Sequence, residues 1–538
     1  MAHAGEAPQA PAALVEAIDA YLIAHTEAAV LEDGAVLFDL RMARYSVAES
    51  HGRCILQLWS EERNLVRTVV GVEARAGCLR VLTRRMGAPR PVALEVVPSS
   101  DRRTPTAREA GRRAYLRLLE RVLGRRFPDW KAGAFRNATD LEHSFGPAYA
   151  RGMLTRGPMA EAVLGVGPDE SSSTIQGALT LGLLWLDYCR EYLVTGQGPA
   201  RNKHFGGLTL VVPLGYEAVL AERIAWLNHA RASFRLLTLD PRTEELAEVE
   251  PPEVGNAASQ LVHAFDHQAA LDRAQPGIER VMELVPSGAE ERIELRPRSA
   301  SEVAMLLHGL EFARVRQHAI RSFSREVEVT FGAGANETTL TEQTEALCRM
   351  LLGRLFASRR PDGDGNDPLY RLQPERWLES RLRRGLPELL PTLRGEFLYT
   401  QVPAISSGDR GMLDLLTLDR AGRLAVIEVK AEEDLHLPLQ GLDYWIRVRA
   451  LNADRETQAD GRALGAFERQ GYFAVNGQGS AVSAAPPRLL LVAPALRVHP
   501  ANEAVLRYLS PQVDWELIAV GEDWRRDLRV IFRKRAGE

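Results

Sequence analysis

Residues 411–430 read Gly-Met-Leu-Asp-Leu-Leu-Thr-Leu-Asp-Arg-Ala-Gly-Arg-Leu-Ala-Val-Ile-Glu-Val-Lys, and this stretch decides how the chain is interpreted. It predicts a strand that carries Asp414, a turn, and a second strand that carries Glu428 and leads to Lys430. Side chains along a strand alternate between its faces, so Glu428 and Lys430 share one face and their apolar neighbours lie on the other. Charged groups in a buried strand are unfavourable unless they have partners. A divalent metal ion held by the two acids would be such a partner.

The order of acid, hairpin and Glu-x-Lys resembles the motif of the PD-(D/E)XK nuclease superfamily. Gln440 and Tyr444 follow on a predicted helix, four residues apart and therefore on one face. They are similar to the Gln-xxx-Tyr element of the RecB-like branch. Glu379 lies upstream in an amphipathic segment, where this family often carries a further acid. The resemblance covers residues 366–538 and implies a restriction-endonuclease-like α/β/α fold.

The resemblance also implies a metal site. Hard oxygen ligands suit Mg²⁺ or Mn²⁺, which polarises a scissile phosphate and lowers the pKa of a bound water. Glu396, on the strand before the hairpin, competes with Glu379 for the role of additional ligand. The implied metal ligands are Asp414, Glu428, the backbone carbonyl of Val429, and Glu379.

The other candidate residues surround this motif. We expect Lys430 to orient or activate the attacking water and to stabilise the developing negative charge. Gln440 and Tyr444 either hold the lysine or a phosphate, or serve ordinary helix packing. His436, between the second strand and the helix, is expected to make a structural hydrogen bond and not to take part in catalysis. Four arginines near Glu379 are candidates for phosphate contacts, with a solvated helix face as the alternative: Arg376, Arg381, Arg383 and Arg384.

The composition is that of an ordinary globular protein. The 538 residues are 45% hydrophobic and 26% charged, and the net charge of −4 argues against a protein that coats nucleic acid electrostatically. The N-terminus lacks the basic region of a secretory signal, and no apolar run is long enough to span a bilayer. We therefore expect a cytoplasmic protein without a membrane partner. Four scattered cysteines agree with a reducing compartment: Cys54, Cys78, Cys189 and Cys348.

The nuclease-like segment occurs twice in the chain. Glu120 aligns with Glu379, and further matches follow in the same order, which indicates an internal duplication. Four residues must be skipped within the hairpin to align its second strand. The matched pairs are residues 119–130 with 378–389, 151–155 with 410–414, 162–167 with 425–430, 175–179 with 439–443, 208–213 with 489–494, and 234–237 with 515–518.

The two copies differ at the charged positions. In this alignment the first copy has Thr155, Gly165 and Gly167 where the second has the two acids and the lysine. The apolar residues that build the strands are retained. We therefore expect a degenerate first copy without a metal site, which serves either as a structural partner or as a nucleic-acid-binding surface.

Turn signals and apolar periodicity divide the chain into four parts. The predicted fold class is α/β, with two restriction-endonuclease-like units, one degenerate and one intact, plus small β-rich and α+β modules. Residues 300–321 are expected to form a helix, and residues 359–368 a flexible connector. The predicted parts are a β-rich module (1–105), a degenerate nuclease-like domain (106–251), an α+β module (252–365) and a PD-(D/E)XK nuclease domain (366–538).

Two functions are compatible with these features. The first is a Mg²⁺- or Mn²⁺-dependent nuclease that acts on nucleic acid, with DNA as the expected substrate, in repair or defence. The second is a non-catalytic nucleic-acid-binding or scaffold protein built on two nuclease folds. The grouped acids and lysine favour the enzyme, since a scaffold has no need of them.

Several choices stay open at this stage. No Gly-xxxx-Gly-Lys-Ser/Thr phosphate-binding loop is present in the sequence, so a motor or specificity function would come from a protein partner. A homo-oligomer is an open alternative to a monomer. The sequence does not choose between DNA and RNA, between single and double strands, or between internal and terminal cleavage.

Overall fold

The computed structural model shows a mixed α/β protein. Its chain divides into two compact units, one formed by Met1–Ala221 with Ala232–Glu250 and the other by Glu222–Arg231 with Pro251–Glu538. No described helix has both the length and the apolar content that crossing a membrane requires. The structure describes residues 10–26, 28–32, 35–40, 43–50, 52–59, 64–75, 78–84, 91–98, 105–140, 142–195, 199–240, 243–250, 259–261, 265–321, 324–332, 337–406, 409–458, 461, 463–475, 478–479 and 482–537.

The first unit begins with an antiparallel seven-stranded sheet and one helix. Residues Cys54, Leu56 and Leu58 are buried on one face, alternating with more exposed neighbours, as expected of a sheet with one covered face. Leu14 and Ile18 of the helix pack into this core. The elements are α1 (Pro11–Ala24), β1 (Ala29–Glu32), β2 (Ala35–Asp39), β3 (Arg44–Ser50), β4 (Arg53–Trp59), β5 (Asn64–Arg75), β6 (Cys78–Arg84) and β7 (Val92–Val97).

The first unit continues with a six-stranded mixed sheet in the order β13-β12-β11-β10-β9-β8. The pairs of β10 with β11 and of β11 with β12 are parallel, and the outer pairs are antiparallel. A π-helical turn at Cys189–Leu193 follows α4. The elements are α2 (Pro105–Arg126), β8 (Lys131–Arg136), β9 (Tyr149–Arg156), β10 (Met159–Val166), α3 (Ser172–Gln176), α4 (Ala178–Tyr188), β11 (His204–Pro213), α5 (Glu217–Ala225), β12 (Ser233–Asp240) and β13 (Glu245–Val249).

The second unit contains an antiparallel five-stranded sheet with a helix packed on it. Gly277 of this helix lies where a Cβ atom would be 2.6 Å from Val315 Cγ1, so the close approach of helix and sheet requires glycine. The elements up to this point are β14 (Ser259–Leu261), α6 (His267–Met282), β15 (Ile293–Ser299), β16 (Glu302–Leu307), β17 (Leu310–Arg321), β18 (Ser324–Phe331), β19 (Thr338–Thr339) and α7 (Glu345–Ser358).

The helix predicted for residues 300–321 was wrong, because these residues form the hairpin of β16 and β17. His308 and Gly309 turn the chain with positive φ values of 48° and 76°, which suit a tight hairpin turn. A Cβ at position 309 would lie 2.0 Å from the carbonyl oxygen of Arg376, so only glycine fits there. The apolar run before the turn is short, and a buried strand and a buried helix look alike over such a length.

A seven-stranded mixed sheet in the order β14-β20-β21-β22-β27-β28-β29 completes the second unit. Every residue of β22 is buried, in agreement with a central strand covered on both faces. The elements are α8 (Pro368–Arg371), α9 (Pro374–Leu389), β20 (Leu393–Ser406), β21 (Asp409–Asp419), β22 (Leu424–Val429), α10 (Leu437–Ala453), β23 (Arg455–Thr457), β24 (Ala463–Gly465), α11 (Ala466–Arg469), β25 (Ala474–Val475), β26 (Gln478–Gly479), β27 (Arg488–Pro494), α12 (Ala501–Leu506), β28 (Asp514–Val520) and β29 (Val530–Arg535).

The two mixed sheets share one arrangement of six strands. From β8 to β13, and from β20 through β21, β22, β27 and β28 to β29, neighbouring strands are antiparallel, antiparallel, parallel, parallel and antiparallel. In each case a helix precedes the first strand, and a helix connects the first parallel pair. The internal duplication read from the sequence predicts this agreement.

The connector predicted as flexible begins with a firmly held residue. Arg359 is fully buried, and its guanidinium lies 4.6 Å from the centre of the Trp377 ring. It donates hydrogen bonds to five backbone carbonyls, and its burial lowers its pKa to about 9. A buried guanidinium is tolerated only with partners of this kind. The acceptors are the carbonyls of Leu307, His308, Leu369, Leu372 and Gln373.

Replacing this arginine should destabilise the second unit. We expect Arg359→Ala to lower the free energy of unfolding by about 3–5 kcal/mol, because several buried carbonyls lose their donor together. Urea unfolding followed by tryptophan fluorescence measures this change. Arg360→Ala is the matched control, since the Arg360 side chain is 52% exposed, and it should change stability by less than about 0.5 kcal/mol. Equal effects of the two substitutions would contradict the assignment.

Candidate active site

Asp414 and Glu428 lie side by side on the central hairpin of the second unit. β21 pairs with β22 through Leu415 and Ile427, so the same register places Asp414 opposite Glu428. The backbone N–H of Val429 donates to Asp414 Oδ2 at 3.0 Å, which fixes the aspartate against β22. The charge of Asp414 acts on Glu428, in agreement with this placement. The structure therefore brings the two predicted principal ligands together at one point of the sheet.

Burial makes this pair of acids unusual. Glu428 is 3% exposed, and burial together with the charge of Asp414 raises its pKa well above the ordinary value. Burial also raises the pKa of Asp414, although the hydrogen bond from Val429 acts in the opposite direction. Glu428 Oε2 is buried without a hydrogen-bond partner among the described residues. Burial and the neighbouring charge of Asp414 therefore favour the protonated form of Glu428.

Lys430 follows β22 and faces a group of acids. Its Nζ lies 3.6 Å from Glu428 Oε1, 3.7 Å from Glu375 Oε1 and 4.0 Å from Asp434 Oδ2. Burial would lower the pKa of Lys430, but the carboxylates, chiefly Glu428 and Glu375, outweigh burial and raise it. The lysine is therefore protonated at neutral pH, and it is a hydrogen-bond donor and a positive charge at this site.

Glu375 and Asp434 also lie at this site, although neither was predicted from the sequence. Glu375 lies in the first turn of α9, and burial raises its pKa, with the charge of Lys430 opposing. It precedes Glu379 by four residues and therefore shares its helix face, which was the available signal. Asp434 lies in the loop before α10 and accepts a hydrogen bond from the backbone N–H of His436 at 2.7 Å. His436 occupies the N-cap position of α10, a structural place in the fold.

Gln440 and Tyr444 lie one turn apart on α10. The Oε1 atom of Gln440 is buried and has no hydrogen-bond partner in the described part of the chain. Burial, followed by the charges of Glu428 and Asp414, raises the pKa of Tyr444, so its hydroxyl stays protonated. A free amide acceptor and a hydroxyl close to the acids can hold the ammonium group of a lysine or a bound water.

Glu379, which the resemblance implies as a metal ligand, is paired with two arginines. It is 2% exposed, its Oε1 is 3.3 Å from Arg296 Nη1, and its Oε2 is 2.9 Å from Arg376 Nη1. Both oxygens are therefore already engaged, and among the helix acids it is Glu375 that lies beside Lys430. Glu396 is 54% exposed and pairs with Arg394 at 2.8 Å on the same strand.

The four arginines considered for phosphate contacts bind within the chain. Arg376 pairs with Glu379, and Arg383 pairs with the buried Glu294 of β15. Arg381 donates to the carbonyls of Trp524 and Arg526, and Arg384 donates to the carbonyl of Arg292. These contacts fasten α9 to the neighbouring strand β15 and to the loop before β29. They leave phosphate binding by these four residues without structural support.

The hairpin fits a hard divalent cation. The carboxyl groups of Asp414, Glu428, Glu375 and Asp434 surround Lys430, so negative groups are in excess, and one buried oxygen of Glu428 has no partner. Among the described residues, no group of three or more His, Cys, Asp or Glu side chains is arranged to hold a metal ion. Mg²⁺ characteristically uses one or two carboxylates and keeps several waters, so a carboxylate pair is sufficient for it.

The sheet register of the first unit identifies the positions that correspond to this hairpin. Residues 208–213 of β11 align with residues 489–494 of β27. Leu208 pairs with Phe234, and Leu489 pairs with Trp515, so both strands meet their next neighbour in the same register. β11 and β27 can therefore serve as the common reference for the two sheets.

This reference places Leu164 at the position of Glu428, because Leu164 pairs with Leu210 and Glu428 pairs with the aligned Leu491. Leu164 in turn pairs with Arg151, so Arg151 holds the position of Asp414. By the same count Val166 holds the position of Lys430. The equivalent positions thus carry two apolar residues and an arginine.

The alignment that matched Thr155, Gly165 and Gly167 to the charged residues was wrong. Thr155 pairs with Ala160 near the turn of its hairpin, far from Gly165 along the strand. A Cβ on Gly165 would lie 2.5 Å from Leu119 Cδ2, so this residue faces α2 and not the site. The sequence alignment is shifted by one residue on β10, and a shift of one residue moves every side chain to the opposite face of the strand.

No protein-family model matches the chain, and no curated protein matches it significantly. The resemblance to PD-(D/E)XK nucleases therefore rests on the residues and geometry given above.

Removing one buried acid should stabilise the metal-free protein at neutral pH. Because the pKa of Glu428 is raised on folding, the folded chain binds more protons than the unfolded chain, and its stability falls as pH rises above the ordinary carboxyl value. Glu428→Gln removes this loss, so its melting temperature should exceed that of wild type at pH 7 and match it near pH 4. Each unit of raised pKa corresponds to about 1.4 kcal/mol.

The same variant tests the metal site without an activity assay. Millimolar Mn²⁺ should raise the melting temperature of the wild type, and it should raise that of Glu428→Gln far less. Glu433→Gln is the control, because Glu433 is an exposed acid in the loop between β22 and α10. Equal Mn²⁺ effects on all three proteins would exclude a site at Glu428.

Proposed function

We propose that this chain is a metal-dependent nuclease of the PD-(D/E)XK type, with DNA as its expected substrate. The observation that carries the proposal is the buried Asp414–Glu428 pair beside Lys430, at the centre of the second unit's sheet. In this reading both mixed sheets are restriction-endonuclease-like units, the second intact and the first degenerate. A role in repair or in defence against foreign DNA agrees with such an activity.

The proposed roles follow from the charges of the site. Asp414, Glu428 and the carbonyl of Val429 would hold Mg²⁺ or Mn²⁺, which would polarise the phosphodiester and acidify a water. Lys430 is protonated, so it donates hydrogen bonds to the water or to a phosphate oxygen and stabilises the negative charge that develops there. Glu375 keeps this lysine charged and oriented. Gln440 can accept a hydrogen bond through its free Oε1.

A non-catalytic nucleic-acid-binding protein is the second candidate. One observation favours this candidate: within the described ranges, no third metal-binding side chain joins Asp414 and Glu428. The enzyme remains the better proposal because a binding protein gains nothing from two adjacent buried acids whose pKa values are both raised. The proposed partner in both readings is nucleic acid.

Loss of the lysine should abolish cleavage without unfolding the chain. We expect Lys430→Ala to lower the rate of cleavage by about 10²–10⁴-fold, because a positioned cationic donor contributes to the transition state on this scale. The assay uses labelled linear, circular and single-stranded DNA and RNA, with Mg²⁺ or Mn²⁺ and then with EDTA.

Lys534→Ala is the matched control for this experiment. Lys534 lies on β29, three strands away from β22 in the same sheet, and pairs with Glu503. Its loss should leave the rate of cleavage within about twofold of wild type. Cleavage that survives both EDTA and Lys430→Ala would contradict the mechanism, and binding without any cleavage would favour the second candidate.

A further inference from the structure

The first unit carries an arginine where the second carries Asp414, and a second arginine lies beside it on the next strand. Arg151 holds the position of Asp414, and it pairs directly across the sheet with Arg136 of β8. Like charges opposite each other on neighbouring strands are destabilising. Both guanidinium groups lie near the Trp185 ring, at 5.7 and 5.2 Å from its centre. The position has therefore changed its charge from negative to positive.

The charge of Arg151 is incompletely satisfied. The residue is 1% exposed, its guanidinium lies 4.4 Å from the centre of the Phe145 ring, and it donates to the carbonyl of Ala138. Its Nε and Nη1 atoms have no partner among the residues that the structure describes. Asp140 is the acid whose charge reaches it, and that carboxylate is also bound to His143 at 3.0 Å. A buried guanidinium without a full set of acceptors adds positive potential to its surroundings, and this favours an anion close by.

A row of aromatic rings continues from this pair of arginines to the surface. Trp185 stacks on Tyr188 with ring centres 5.4 Å apart, and Tyr188 stacks on Tyr192 at 5.2 Å. Tyr192 is 53% exposed, although a tyrosine usually buries its ring. It belongs to the π-helical turn at Cys189–Leu193, and such turns occur frequently at functional sites. An exposed ring at the end of a stack offers a platform for another flat ring.

We infer that the first unit binds a single-stranded segment of nucleic acid without cutting it. A phosphate would bind Arg136, with the buried charge of Arg151 adding to the local positive potential, and an unpaired base would stack on Tyr192. Grooves that combine arginines with exposed aromatic rings bind single strands in this way, because every base offers a flat face. The choice of nucleic acid as the ligand rests on the proposed function, whereas the positive charge and the aromatic platform do not.

The inference explains why the position is positive. A metal ion on acids and a guanidinium both present positive charge to a phosphodiester, but only the metal ion also supplies an activated water. With Leu164 and Val166 at the positions of Glu428 and Lys430, the first unit retains attraction for the phosphate and loses the groups for hydrolysis.

The test measures binding in a chain that cannot cleave. Fluorescence anisotropy of the full-length Lys430→Ala protein in EDTA would be recorded with labelled single-stranded DNA, single-stranded RNA and duplex DNA of the same sequence. We expect the single strands to bind more tightly than the duplex. Adding Arg136→Ala or Tyr192→Ala should weaken single-strand binding about 5- to 50-fold, and Tyr192→Phe should restore it. The DNA and RNA arms identify which strand the site accepts.

Arg121→Ala is the control for net charge, because Arg121 is 56% exposed on α2, which packs against the other face of the sheet. It should change binding less than twofold. Arg151→Met provides a second readout: it should weaken binding yet melt at an equal or higher temperature, since an incompletely paired buried charge is replaced by an apolar side chain. Unchanged binding in Arg136→Ala and Tyr192→Ala, or equal weakening in Arg121→Ala, would overturn the inference. Metal-dependent cleavage by the wild type would still stand in that case, so the two proposals fail separately.

Discussion

Two neighbouring carboxyl groups are buried in the middle of the second unit's sheet, and the other charged residues of the candidate site are arranged around them. Asp414 and Glu428 face each other across the central hairpin, where the surrounding strand is apolar and buried throughout. Burial raises the pKa of both acids, and the charge of Asp414 raises that of Glu428 further, so the fold loses stability when both are ionised. A protein keeps such an arrangement where a cation or a reaction uses it, and strained sites of this kind are typical of function.

The surroundings of this pair hold it in place. α9 contributes Glu375 beside Lys430, and the same helix is fastened by the ion pairs of Glu379 with Arg296 and Arg376. Glu379 thus helps to position the helix through its ion pairs, and Glu375, one turn earlier on α9, is the helix acid that lies beside Lys430. Fully paired buried networks of this kind rigidify a site, because breaking any member leaves an unpaired charge.

Local pattern predicted the central hairpin, its charged residues and the β-rich character of the N-terminal part, because period-two alternation and turn residues are local signals. It failed where the outcome depends on distant parts of the chain. The hairpin around His308 and Gly309 was mistaken for a helix, because the burial of its short apolar run is decided by packing against α6. The match of Thr155 to Asp414 failed because the position of a gap within a hairpin cannot be read from sequence, and one residue exchanges the faces of a strand.

The corrected register changes what the degenerate unit means. If the first copy had only lost its acids, we would expect small or apolar residues at all three positions. Stability alone would then explain those residues. Arg151 instead places a buried, incompletely paired cation opposite Arg136, which lowers stability as the acids of the second unit do. Each unit thus carries a buried ionisable group without a full set of partners at the same point of the same sheet arrangement. The group is acidic in the second unit and basic in the first. Opposite signs at equivalent points suit ligands of opposite charge, and under the proposed function these ligands are a metal ion in the second unit and a phosphate group in the first.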